Sequence, residues 1–163
     1  MNNAKEIFLE TWEREFKTTI KVLRAYPPDK QDMKPSEKLK TAKEMAWIFA
    51  SEGMVMLQGI CNGNIDFSKF QPAPATIQEA IDAYEKTHPA SVEGIKNMSD
   101  ADWNSMMPWM SAPKTPGMMR RSDLLWLMLH DQIHHRGQFS VYLRLAGAKV
   151  PSIYGPTADE PWM

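Results

Sequence analysis

The residues best suited to chemistry gather in one stretch, Leu124 to Leu143, which holds three of the chain's four histidines, His130, His134 and His135. Each residue of a helix advances about 100°, so the directions of these rings can be compared with those of their apolar neighbours. Leu124, Leu125, Met128, Phe139, Tyr142 and Ala146 define an inward stripe. His135 falls near its middle, Asp131 sits one turn earlier on its edge, and Gln132 flanks it on the other side. A second polar intrusion lies far upstream. Glu52 stands at the centre of an apolar stripe, after Ile48 and Phe49 and before Val55 and Met56. Burying a lone carboxylate is expensive, so Glu52 needs a cation, a metal or a proton. Two oxygen donors and one imidazole, Glu52, Asp131 and His135, can together hold a divalent ion or move a proton.

Plainer roles compete for the same residues. An inward histidine is more often a hydrogen-bonded core residue than a ligand, and Glu52 neutralising His135 or Arg136 would satisfy the charges without metal. His130 and His134 have the i, i+4 spacing that chelates zinc in the metalloprotease helix, but Asp131 stands where that motif places glutamate. An interface or surface pair is the expectation there. His88, just before Pro89, reads as structural, and Cys61, the single cysteine, as a packed, inert thiol. The thirteen methionines suggest adaptable packing and, under the Met-rich stretch, a cleft for an apolar small molecule. There is no glycine-rich phosphate loop, nucleophile elbow or CxxC pair.

These residues must be positioned by helices. Four segments carry helical periodicity: about Ala4 to Arg24, Thr41 to Asn62, Thr76 to beyond Ile95 across a kink at Pro89, and Ser122 to Leu145. Thr41 with Glu44, and Thr76 with Glu79, have capping-box spacing. No stretch alternates as a strand, and Ser99 to Met119 reads as a long ordered loop. The expectation is an all-α helical bundle forming a single domain, 1–163, with an extended proline-containing tail after Lys149. Leu127, Val141, Leu145 and Gly137 form a second face on the last helix, which is expected to make a homodimer.

Composition limits the partners. A net charge of −1 without a basic stripe argues against a nucleic-acid groove or an anionic membrane surface. No apolar run approaches the roughly 18 residues of a membrane span. With one cysteine and no apolar signal core at the start, the expected location is cytoplasmic.

Three segments near the C-terminus carry a family resemblance: His134-His135-Arg136-Gly137-Gln138, Val141-Tyr142-Leu143-Arg144-Leu145 and Val150-Pro151-Ser152-Ile153-Tyr154-Gly155-Pro156. With weaker similarity at Phe8-Leu9-Glu10-Thr11-Trp12 and Ala42-Lys43-Glu44-Met45-Ala46-Trp47, the chain resembles the DinB-like family. The resemblance implies an up-down-down-up four-helix bundle, commonly homodimeric, in a superfamily that includes thiol-dependent transferases and isomerases. It implies three histidine ligands, one from the second helix and an H-x3-H pair from the last. Here His135 matches the final histidine, Asp131 stands in place of the first of the pair, and Ile48 falls at the second-helix position. Two readings follow. One is a metal-dependent transferase or hydrolase of small molecules, with zinc or nickel at an altered site. The other is a metal-free, non-catalytic binding bundle.

Overall fold

Side-chain caps set where three of the long helices begin in the computed structural model, which describes residues 3–163. Asn3 caps α1 (Ala4–Arg24) and Thr41 caps α2 (Ala42–Ser51), each in a reciprocal box with the glutamate three residues on. α2 passes without a break into a π-helical segment, Glu52–Leu57, and then into α3 (Gln58–Asn62), so the three form one rod. Gly63 ends it at φ +77°. At Gly59 a Cβ would stand 2.8 Å from the Cα of Ile65, so the returning chain requires a glycine there.

Thr76 caps α4 (Ile77–Asn97), which contains Pro89 and stays one helix. The short α5 (Asp100–Asn104) leads into a hairpin of β1 (Met106–Ala112) and β2 (Thr115–Arg120). α6 (Arg121–Leu145) follows directly, and Gly147 adopts φ +71° just beyond it. The tail packs back through Arg144–Asp159 and Lys21–Glu160 ion pairs.

The hairpin corrects the all-α expectation and the reading of Ser99 to Met119 as loop. The strands pair antiparallel from Met106↔Arg120 to Ala112↔Thr115. Of the thirteen strand residues only Met107 is buried, so no apolar alternation marks them. Pro108 and Pro116 disguise them further. A proline is tolerated because each strand of a two-stranded sheet is an edge.

Four rods therefore surround the core, α1, the α2–α3 rod, α4 and α6, and they share two apolar clusters. Phe49, Tyr84, Phe139 and Leu143 centre one cluster; Trp12, Leu57, Ile95 and Leu125 centre the other. Between the two, every rod contributes buried polar residues: Glu15 and Thr19, Glu52, His88, and Gln132 with Arg136. This polar belt at mid-height holds the candidate site.

Candidate metal centre

Glu52 is the first residue of the π segment and is 8% exposed. π turns recur at functional sites, because the extra residue per turn re-aims side chains that a regular helix would stack. Its Oε2 has no hydrogen-bond partner among the described residues. Asp131 and His135, one turn apart on α6, lie opposite, and their side chains are 41% and 20% exposed. One donor atom from each of Glu52, Asp131 and His135 lies within 4.8 Å of the others. Ligands to a single zinc-sized ion stand about 2.0–2.2 Å from it, so modest side-chain rotation closes this set around one ion.

The charge state follows from burial. Loss of solvent pushes the Glu52 carboxyl up to about 9, and the neighbouring Asp131 carboxyl pushes it the same way; Gln132 opposes them. Without a cation Glu52 is therefore a neutral acid at pH 7. A divalent ion would replace that proton and give the unpartnered oxygen its missing contact.

His135 is oriented for this role by Gln138, which the sequence reasoning did not single out. The Nδ1 of His135 lies 3.0 Å from Gln138 Oε1, an acceptor, so Nδ1 carries the proton. That leaves Nε2, 3.3 Å from Asp131 Oδ2, as the lone-pair donor. The amide nitrogen of Gln138 lies 3.0 Å from His134 Nε2. His134 thus supports the amide that orients His135. The i, i+3 spacing of His135 and Gln138 is the signal that could have found it.

Two sequence expectations need correction. His135 is not at the centre of the buried stripe of α6; Gln132 and Arg136 are, at 3% and 1% exposure. Nor does Glu52 neutralise Arg136. Arg136 pairs with Glu15 at 2.7 Å, donates to the Glu15 carbonyl and Thr19 Oγ1, and also reaches the Tyr154 hydroxyl. Burial pushes the Glu15 carboxyl up, but hydrogen bonds from Tyr154 and Arg136 outweigh it and hold the group below its ordinary value. His130 and His134 are both exposed and lie outside the Glu52 group. His88 packs flat on Phe16 with ring centroids 3.5 Å apart and lies 3.2 Å from Glu13.

The carboxylates open onto a cleft of about 570 Å³. Ile48, Met56 and Met128 line it near the floor, with Trp47, Phe67, Phe70 and Trp109 among its walls. Such a site can bind an apolar molecule and present a polar group of it to the floor.

Comparison with known proteins agrees with the fold. The chain belongs to the DinB family, whose profile matches residues 1–162. It is 30% identical over 159 residues to the uncharacterized protein YrdA of Bacillus subtilis (strain 168), covering 94% of this chain and 89% of that one. A DinB-like protein from Bacillus cereus ATCC 10987 superposes with a TM-score of 0.73 at 25% identity, over 90% of this chain and 95% of that chain. A second DinB-like protein, YjoA of Bacillus subtilis, superposes with a TM-score of 0.72 over 90% and 96%; at 17% identity it speaks to fold alone. Among the described residues no helix is long and apolar enough to cross a membrane.

Proposed function

We infer that this protein is a metal-dependent transferase or hydrolase of small molecules, thiols included, with Glu52, Asp131 and His135 as the ligand set. The observation that carries the reading is the buried Glu52 Oε2, which lacks a hydrogen-bond partner among the described residues although its carboxyl stands opposite a second carboxylate and an imidazole. Oxygen, oxygen and nitrogen donors suit zinc or nickel. When bound, the ion supplies Lewis-acid activation of a nucleophile. The residues supply the rest. Glu52 and Asp131 neutralise charge, Gln138 fixes the His135 tautomer, and the apolar walls receive the apolar part of a substrate.

Other features support the remaining expectations. α1 and α6 run from the Leu57 cluster to the Phe49 cluster, and the α2–α3 rod and α4 run the other way, which fits an up-down-down-up bundle forming one domain. The outer face of α6 leaves Leu127, Val141 and Leu145 exposed, and among the described residues nothing lies within 4 Å of a Cβ built on Gly137. That face suits a homodimer.

The test is metal content. Protein purified without a histidine tag should carry close to one divalent ion per chain, and Asp131→Ala or His135→Ala should lose it. Wild type without metal, with neither substitution changing ligand binding, would overturn the reading. The competing reading, a metal-free binding bundle, draws on Ile48, an apolar side chain lining the cleft one turn before Glu52. Thermal stabilisation by an apolar small molecule, with no response to zinc or nickel, would favour it.

A further inference from the structure

Beside the acidic floor stands an aromatic shelf that takes no part in holding a metal. Phe67 and Phe70 are 58% and 39% exposed. The Phe67 ring lies 6.3 Å from Phe70 and 6.4 Å from Trp109, with interplanar angles of 24° in both pairs. The rings come from separate parts of the chain, a 3-10 turn at Phe67–Lys69 and strand β1. The turn is held in place. Asp66 accepts hydrogen bonds from the Ser68 N–H and hydroxyl, and the Trp47 indole donates to the Gln71 carbonyl at 2.8 Å. Exposed aromatic surface on a fixed support marks a contact for something outside the chain.

We propose that the cleft binds planar aromatic monocarboxylates, the ring against Phe67, Phe70 and Trp109 and the carboxylate toward the Glu52–Asp131–His135 floor. This ligand class rests on the metal reading above. The shelf and two residues of the floor, Glu52 and Asp131, line the same cleft of about 570 Å³, a size that suits a one- or two-ring compound. The sign of the ligand follows from charge. Glu52 and Asp131 together balance a divalent ion. Glu44, also on the wall, spends its carboxylate on the Thr41 N–H and hydroxyl at 2.7 and 3.0 Å. Glu44 stays charged, and Lys40, which lines the same cleft and helps to hold that carboxyl down, balances it, so the ion held at the floor is what would draw a carboxylate rather than an ammonium group. A metal-free floor would be acidic and would instead prefer an ammonium group over the same rings.

Calorimetry on the untagged full chain separates these cases, using 2-naphthoate, cyclohexanecarboxylate and 2-naphthylmethylamine with and without zinc. The expected result is saturable 2-naphthoate binding to zinc-loaded protein, roughly tenfold weaker without zinc and roughly tenfold weaker for the non-aromatic acid. Phe67→Ala should weaken 2-naphthoate about five- to tenfold with zinc affinity unchanged, and Phe67→Leu, which keeps apolar bulk without the ring, should recover little of it. Zinc binding with no 2-naphthoate binding, or with no loss in Phe67→Ala, overturns the ligand class and leaves the metal centre standing. Preference for the amine over the acid overturns it too. Failure to bind either zinc or nickel overturns the metal centre and this assignment together.

Discussion

Glu52 meets two opposed demands: a buried carboxyl is most stable uncharged, whereas a metal ligand must be charged. Its folded-state value, about 9, lies above the ordinary 4.5, so the folded chain holds this proton more tightly than the unfolded one. The resulting stability is fully present below about pH 4.5 and is lost as pH rises toward 9. Denaturant titrations of metal-free protein between pH 5 and 9 should show that decline, and Glu52→Gln should flatten it. At pH 8 the metal-free Glu52→Gln protein is expected to be more stable by about 1 kcal/mol or more, a rise in Tm of roughly 3 °C. The same substitution should abolish metal binding. For wild type, metal affinity should rise over the same range, because the ion displaces a proton.

Gln138 belongs with this chemistry although it is not a ligand. Gln138→Ala should lower metal affinity about 10- to 100-fold by freeing the His135 ring to turn. Isothermal titration checks this. Unchanged affinity would mean that packing alone holds the ring.

At the scale of elements, the polar belt couples the rods through Arg136. Arg136→Met leaves Glu15 charged and buried and should cost about 3–5 kcal/mol, read from a denaturation midpoint. Mutating Tyr154 to Phe removes two hydrogen bonds, one given to Glu15 and one accepted from Arg136, but leaves the ion pair, and should cost about 1–3 kcal/mol. Most elements were legible because their signals are local. Thr41 with Glu44 and Thr76 with Glu79 mark helix starts by side-chain chemistry within a few residues. The π turn was not legible, since Glu52 to Leu57 carries an ordinary helical pattern and only the backbone shows the extra residue. The hairpin was hidden by its prolines and its exposure. The convergence of Glu52, Asp131 and His135 was legible from periodicity, but the partial exposure of Asp131 and His135 follows from Arg136 turning inward, to meet Glu15 on a distant rod.

For the whole molecule, the uncovered face of α6 sets the expected assembly. Leu127, Val141 and Leu145 are 38%, 55% and 57% exposed and follow one face of the helix. Light scattering at micromolar concentration should give the mass of a dimer, and Val141→Glu should give a monomer without loss of metal. Wild-type monomer would remove the dimer and leave the centre untouched, because Glu52, Asp131 and His135 all come from one chain. The centre itself is tested most directly by anomalous diffraction at the zinc or nickel edge from crystals of the untagged protein. The expected map has one peak about 2.0–2.2 Å from a Glu52 oxygen, an Asp131 oxygen and His135 Nε2. A peak on His130 and His134 instead, or none at the floor of the cleft, would contradict it.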